Sequence, residues 1–518
     1  MLHPPHWTAW LVPLLYLLGA AAAAALRRRA LWPALAWASG GALAGALAGD
    51  ISRLVPGLAF GLHNGPAAAV MTLITFLGWV IARYSRGNLA GEAGERRFVC
   101  ALLLTLAGVS TVVAARNFAV LVLAWAASSA ALHPLLTHYR ERSAARIVAR
   151  KKFLASRLAD GCLLGAALLL YRRWHTLGLT ALARLIAAHG AAGADAQWAA
   201  LLLAAAVLLK SAQLPLHGWL VQVMEAPTSV SALMHAGVVN LGGYVLIRLA
   251  PLIGASLPAQ GLLVIVGSTT AALAGLTLMT CPTRKTRLAW STCSQMGLMA
   301  AECGLGLYGL ALLHLLGHAL YKAHAFLCSG EAVRESTEVR MRAEPPSRAP
   351  YAPLLGLAVA ASVVAVSARL WHTVLHAPTV PWIALLVCTL GVATLLWDGV
   401  PNLATRTRNF LAAALAVQLY LLWHLTMNRG LGVPQARPAP LLALYGALCL
   451  VALYWAQGHL GRAGSATRHS RLYVWSAAGY FLDEPVTRLV TSRWPWCGVR
   501  SAGRHLSPWL APRERGAA

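Results

Sequence analysis

Apolar residues run along this chain in long unbroken blocks, not in alternation and not on one face of a helix. A spanning helix needs roughly 20 apolar residues to cross about 30 Å of hydrocarbon. The pattern predicts about fifteen such helices. They lie near 7–26, 31–49, 66–83, 98–115, 117–137, 153–171, 198–224, 229–250, 257–280, 286–303, 307–329, 351–370, 380–397, 409–427 and 439–457. The second and third are rich in Ala and Gly and are expected to be less regular. The blocks are too long for the strands of a closed barrel. The expected fold class is an all-α polytopic membrane protein. No stretch before residue 458 is long enough for a sizeable extramembrane domain. The first block starts at Trp7 with no basic segment ahead of it, so it reads as a mature helix and not as a cleaved signal.

Composition agrees. Of 518 residues, 58% are hydrophobic and 11% charged, and the mean hydropathy is +0.62. A soluble domain carries about a quarter charged residues. Soluble enzymes, disordered chains and fibrous proteins are excluded. The net charge of +27 therefore marks membrane loops and not a nucleic-acid partner. Basic clusters stand at Arg27 to Arg29, at Arg83, Arg86, Arg96 and Arg97, and from Arg140 to Lys152. Others are Arg284, Lys285 and Arg287, then Arg334 to Arg348, Arg406 with Arg408, and the tail. With fifteen spans all of these fall on one side. Positive loops stay in the cytoplasm, so the N-terminus is expected outside and the tail inside. The exception is the loop holding Arg172, Arg173 and Arg184. Nine cysteines with no CxxC pair argue against a disulfide framework or a cysteine metal site.

Ionisable residues within a span cost at least about 2.5 kcal/mol each and call for a functional explanation. The chain has five lysines among its 43 basic residues. Lys151, Lys152 and Lys285 fall in expected cytoplasmic loops, whereas Lys210 and Lys322 fall within spans. Arg cannot release its proton in a protein, and a buried Lys can. That choice suits a proton relay; snorkelling or a structural ion pair would also satisfy it. Around Lys210 the chain reads KSAQLPLHGWLVQVMEAPTSVSALMHAG. Pro215 breaks that helix mid-span, as in transporters that build ion sites at broken helices. Glu225 follows at the cytoplasmic end, and His235 comes about two turns into the next helix.

A second cluster reads LLHLLGHALYKAHAFL. His314, His318 and Lys322 recur at i, i+4 on one helix face, with Tyr321 and His324 alongside. They form a candidate proton path. Histidines at that spacing also suit zinc, but Lys322 would oppose a dication and no carboxylate shares the face. Asp160 is expected to pair with Lys210 or with loop arginines. Glu302, near a helix end, is expected to be solvated. No cofactor fingerprint, nucleophile elbow or phosphate loop occurs. The chain is read as a transport subunit and not as an enzyme, with no cofactor of its own.

The tail, 458–518, carries nine arginines against three acids. Leu472, Trp475, Ala478, Gly479 and Leu482 stand at helical spacing, thickened by Tyr473, Tyr480 and Phe481. This amphipathic segment suits membrane lipids or a docking role in which Trp475, Tyr480 and Phe481 meet a partner. Pro485 is expected to bend or end its first part.

These stretches resemble a known family. KSAQLPLHGWLVQVMEAPTSVSALMHAG and LAWSTCSQMGLMAAECG, followed by ALLHLLGHALYKAHAFLCSG, are similar to signatures of the proton-translocating antiporter-like subunits of respiratory complex I and Mrp antiporters. KKFLASRLAD resembles the segment before that family's sixth helix. The resemblance implies two inverted five-helix repeats, here 98–250 and a degenerate 257–397, with a broken helix in the first. It leaves N-terminal helices over 1–97, further helices over 398–457, and the basic tail. It matches Lys210 to the broken-helix lysine, His235 to the next histidine, and His314, His318 and Lys322 to the connecting chain. Asp160 matches an acidic position of the sixth helix.

The departures are specific. The family's fifth helix carries a glutamate where this chain has Ala126. The second broken helix carries a Lys or Glu beside a Pro, and YAPLLGLAVAASVVAVSARLWH has neither in its interior. The long lateral helix of the terminal complex I subunit is not expected either. The chain is most similar to membrane subunits of DAB-type inorganic-carbon pumps. That resemblance implies passage of protons or Na⁺ coupled to a large cytoplasmic zinc-binding partner, DabA-like and related to carbonic anhydrase, in a bacterial inner membrane. The alternatives are a subunit of a NADH-quinone oxidoreductase or multi-subunit Na⁺/H⁺ antiporter, and a non-conducting scaffold.

Overall fold

The computed structural model describes residues 9–25, 27–52, 65–190, 193–223, 226–331, 351–396, 403–430, 438–460 and 471–493. These residues form helices and their connections, with one isolated bridge between Asn117 and Gly178. The N-terminal group is α1 (Leu11–Ala25), α2 (Leu31–Ser52) and α3 (Gly65–Leu89). Then come α4 (Glu95–Ala114), α5 (Phe118–Leu136), α6 (Ser143–Trp174), α7 (Leu179–His189) and α8 (Ala194–Lys210). A single turn α9 (Gly218–Val221) precedes α10 (Thr228–Leu233), which continues through a π-helical turn into α11 (Leu241–Arg248). The short α12 (Ala250–Gly254) leads to α13 (Leu257–Thr280), α14 (Arg284–Gly304) and α15 (Tyr308–Leu327). The remainder is α16 (Ala352–Leu375), α17 (Trp382–Leu395), α18 (Leu403–Gly430), α19 (Pro440–Leu460), α20 (Arg471–Ala477) and α21 (Glu484–Arg493).

Ten helices among the described residues are long and apolar enough to cross a membrane. The other five expected spans, at 7–26, 198–224, 286–303, 307–329 and 380–397, fall on helices that are shorter, interrupted or more polar. The polarity has a cause. Thr292, Ser294 and Glu302 of α14 and His318 and Lys322 of α15 are buried within the protein. The polar side chains of these helices are turned into the protein, so composition alone undercounts them.

Several boundaries differ from expectation. The Ala/Gly-rich second and third spans are regular helices of 22 and 25 residues. The loop expected to end at Lys152 is instead the first part of α6, a 32-residue helix. Lys151 and Lys152 are buried within it. They are not solvated loop lysines, because their helix starts about two turns before them. Residues 179–189, expected as loop, form α7, whose Leu182 and Ile186 are buried on one side.

Apolar packing among the described residues divides into two large cores and a small cluster of Ala274, Trp290 and Cys293. The larger joins α1 to α15 around Trp125, Tyr16, Tyr244, Tyr308 and Phe326. The other large core gathers α13 and α16 to α19 around Val364, Ile383, Tyr420 and Tyr454. In a bilayer, helices gain little from hydrophobicity and associate through close packing of small residues. α13 and α14 do this at Gly267 and Gly297: a Cβ on Gly267 would lie 2.5 Å from the Gly297 carbonyl oxygen and 2.9 Å from the Ala301 nitrogen.

Candidate ion-translocation site

α8 stops at Lys210 because the chain cannot continue it. Pro215 has no N–H to donate and fixes its φ. Ala212 adopts a left-handed φ of 56°, a conformation alanine seldom takes. The freed backbone groups are satisfied locally and from neighbouring helices. Ser211 N donates to Val207 O at 2.9 Å and Gln213 N to Leu208 O at 3.2 Å. Thr270 Oγ1 of α13 accepts from Leu214 N at 3.2 Å. Cys293 Sγ of α14 donates to Ala212 O at 3.1 Å. His217 is buried in the break, its Nδ1 3.2 Å from Pro215 O and its ring 4.9 Å from that of Trp290.

Lys210 sits at this break and is buried. Its Nζ lies 2.7 Å from Asp160 Oδ1 of α6 and 3.4 Å from Ser129 Oγ of α5. The indole of Trp125 lies 4.7 Å from the ammonium. Of the two expected partners Asp160 takes Lys210; its other cation is not a loop arginine but Arg157 of α6 itself, whose Nη2 lies 2.7 Å from Oδ2. The carboxylate beside Lys210 thus comes from Asp160 of α6 and not from the α5 position held by Ala126. A third cation joins them: Lys152 Nζ donates to Ser129 O at 2.6 Å. Lys152, Ser156 and Asp160, all buried, recur every four residues, a spacing that puts them on one face of α6.

The second group is built on α14 and α15. His314 and His318 stack edge to face with centroids 6.1 Å apart. Lys322, fully buried, donates to Leu288 O at 3.1 Å and Ser291 Oγ at 2.8 Å. His235 lies in the π-helical turn Met234–Val238, its ring stacked 4.4 Å from Phe326 of α15. Such turns recur at functional sites because they push one residue out of helical register. Both ring nitrogens of His235 and of His318 are buried without a hydrogen-bond partner among the described residues. His324 is exposed beside Cys328 and stands apart from this line.

Glu302 corrects the sequence reading. It is not solvated: its exposure is 2%, and its Oε1 and Oε2 lie 3.1 and 3.0 Å from His314 Nδ1. The carboxylate absent from the α15 face is supplied by the end of α14. Glu225 lies outside the described residues. α16, where the family has its second broken helix, is a continuous helix of 24 residues.

The tail comes back to the broken helix. Asp483, between α20 and α21, accepts at Oδ2 from Lys151 Nζ at 2.6 Å and Gln222 Nε2 at 2.7 Å. Lys151 Nζ also donates to Gln222 Oε1 at 2.9 Å. Gly218 leaves the room that Asp483 Oδ1 fills. Trp475 and Phe481 are exposed and meet edge to face at 6.3 Å. Tyr480 is half-buried and bonds Ser476 Oγ at 2.9 Å. The chain turns at Gly479, Tyr480 and Phe481, all with positive φ. Pro485 does not end the first helix; it occupies the second position of the next one, where its missing N–H is harmless.

The model of the NADH:quinone oxidoreductase/Mrp antiporter membrane family matches residues 115–369, from the turn before α5 into α16. The "Probable inorganic carbon transporter subunit DabB2" of Halothiobacillus neapolitanus is 35% identical over 442 residues, 83% of this chain and 80% of that protein. The chain belongs to the NADH:quinone oxidoreductase/Mrp antiporter family. Within this family, the "Probable inorganic carbon transporter subunit DabB" of Hydrogenovibrio crunogenus is 46% identical over 316 residues, 61% of this chain and 60% of that protein. The chain therefore matches less than two thirds of that relative's length. The NADH-quinone oxidoreductase subunit L of Escherichia coli is 34% identical over 272 residues, 52% of this chain and 44% of that protein. Two solved structures share the fold at a TM-score of 0.57 each. One is the membrane-bound sulfane sulfur reductase, an archaeal respiratory complex, at 18% identity over 87% of this chain and 96% of that chain. The other is the Mrp complex of Dietzia sp., at 24% identity over 97% of this chain and 57% of that chain.

Proposed function

We propose that this chain is the cation-conducting membrane subunit of a two-subunit inorganic-carbon pump. The ion is a proton in this reading. It moves between the Lys210–Asp160 pair and the line His235, Lys322, His318 and His314. The carrying observation is the Lys210–Asp160 contact of 2.7 Å at a helix break. A buried lysine beside a carboxylate can lose and regain a proton, whereas an arginine there could not. The orphaned nitrogens of His235 and His318 support the relay, because buried polar groups are otherwise nearly always paired. The carbon-pump assignment draws on the inorganic-carbon names of two relatives and on Ala126. It places CO₂ hydration in a large cytoplasmic zinc-binding partner and leaves this chain without a reaction of its own. The basic loops orient the N-terminus outside and the tail in the cytoplasm of a bacterial inner membrane.

Lys210→Arg is the direct test. It keeps the charge and removes the exchangeable proton. The expected result is loss of carbon uptake in cells at normal membrane abundance. Uptake at the unmodified rate would overturn the relay. Purification of the complex with metal analysis tests the partner. A large zinc protein supports the pump, and a set of small membrane subunits supports the oxidoreductase or antiporter alternative.

A further inference from the structure

Resting on the relay reading above, we propose that the ion path opens on the membrane face opposite the basic loops through Glu302 and a cavity beside α16 to α18. The degenerate second repeat is then the wall of that opening and not a second channel.

Position comes first. α14 starts with Arg284, Lys285 and Arg287 and is 21 residues long, with Glu302 in its last turn before the chain bends to α15. At 1.5 Å per residue that is about 30 Å, a full bilayer. Glu302 and His314 therefore stand at the end of the bundle away from those basic residues. Lys322 bonds Leu288 and Ser291 near the basic end. The line Lys322, His318, His314, Glu302 thus traverses much of the thickness. A buried carboxylate closes it where the line would otherwise end in apolar packing.

Beyond Glu302 the packing leads to α18. Trp423 Nε1 donates to Gly309 O at 3.0 Å, fastening α18 to the start of α15. Tyr420 and Leu421 of α18 share a buried apolar core with Leu305 and Leu307, which follow Glu302 in the α14–α15 turn. The Tyr420 ring is 6.3 Å from that of His424. Leu421 and His424 line a cavity of about 340 Å³ together with Arg369, His372 and Thr373 of α16 and Thr379 of the α16–α17 connection. His372 Nδ1 is 2.9 Å from Ala377 O, which shapes that connection. The lining is mostly apolar, but Arg369, His372, Thr373, Thr379 and His424 give water polar partners there, so a proton leaving Glu302 has a place to go. In the step itself a proton on the Glu302 carboxyl passes to His314 Nδ1, leaving carboxylate and imidazolium, and the reverse step restores both. α16 is unbroken and carries no ionisable group between Tyr351 and Arg369. It gives the path no second station.

The test uses the intact complex in sealed vesicles with a lumenal pH dye. Glu302→Gln keeps the shape and removes the exchangeable proton; flux should fall at least tenfold, and Glu302→Asp should recover part of it. Thr373→Cys is then treated with a membrane-impermeant cationic thiol reagent from the face opposite the basic loops. Labelled flux should be several-fold below unlabelled flux of the same variant. If Lys210→Arg abolishes flux while Glu302→Gln and labelled Thr373→Cys do not change it, the relay stands and this opening is wrong. If none of the three changes flux, the relay reading itself fails. Should Glu302→Gln not assemble, the labelling ratio alone decides.

Discussion

Asp160 holds two cations at once, Lys210 on one oxygen and Arg157 on the other, each at 2.7 Å. Lys210 and Asp160 are both buried, so removing the carboxylate leaves an uncompensated charge in a dry site. Such losses cost roughly 3–5 kcal/mol. Asp160→Asn should therefore lower thermal stability of the purified subunit as well as abolish flux. Placing a carboxylate on α5 by Ala126→Glu should restore part of both, because Trp125 and Ser129 of that helix already touch Lys210. A double variant no better than Asp160→Asn would show that the α5 position does not reach the ammonium. On α15, His318→Ala should cut flux at least tenfold while Cys328→Ala leaves it within about twofold, read in the same vesicle assay. Lys210, His235, His314, His318 and Lys322 stood out in the sequence because ionisable residues are rare in apolar blocks. Lys152 did not, because it falls within an arginine run that looks like a loop. Its four-residue spacing with Ser156 and Asp160 was the available signal. Glu302 was hidden by its place near a helix end, since sequence does not say whether such an end is wet.

At the scale of elements, long apolar helices are legible because hydrocarbon leaves the backbone no other partner. The interruption at 211–217 is legible from Pro215. The π-helical turn at His235 carries no comparable mark; it depends on packing against α15. The full extent of α6 is not legible in the sequence because its first turns are basic, and basic residues there signal a loop and a solvated helix end alike. Helix seams are visible only in three dimensions. At Gly267 the nearest atoms to an added Cβ are backbone atoms of α14, which cannot rotate away. Gly267→Val should force α13 and α14 apart and cost roughly 1–3 kcal/mol or more. The break loses its hold when that happens, since Thr270 of α13 and Cys293 of α14 both bond it. A fall in thermal stability is the expected measurement, with Gly391→Ala, whose Cβ meets nothing within 4 Å, close to the unmodified protein.

Across the whole molecule the tail ties back to the broken helix. A tail rich in arginine was expected to meet lipid or a partner, yet the residue that anchors it is an acid. Asp483 accepts from Lys151 of α6 and Gln222 of the segment after the break, while Thr487 Oγ1 donates to the same oxygen at 3.1 Å. Lys151 is therefore paired through a residue more than three hundred positions away, which no local pattern could reveal. The clamp leaves Trp475 and Phe481 facing outward, so the aromatic pair is free to serve a second surface. Two variants separate the roles. Asp483→Ala leaves Lys151 buried without its carboxylate and should loosen the tail, seen as faster proteolysis after residue 460 and a lower unfolding temperature. Trp475→Ala combined with Phe481→Ala touches no part of the clamp and should leave that temperature unchanged. If these rings dock the cytoplasmic partner, the double variant loses the partner during purification while still inserting. If they rest on lipid headgroups, the partner stays bound and the isolated segment 471–493 instead loses affinity for anionic vesicles. Retention of both partner and vesicle binding would leave the rings without either role, and the contact would then fall to the basic residues of 138–152, which run into α6, and of 331–350.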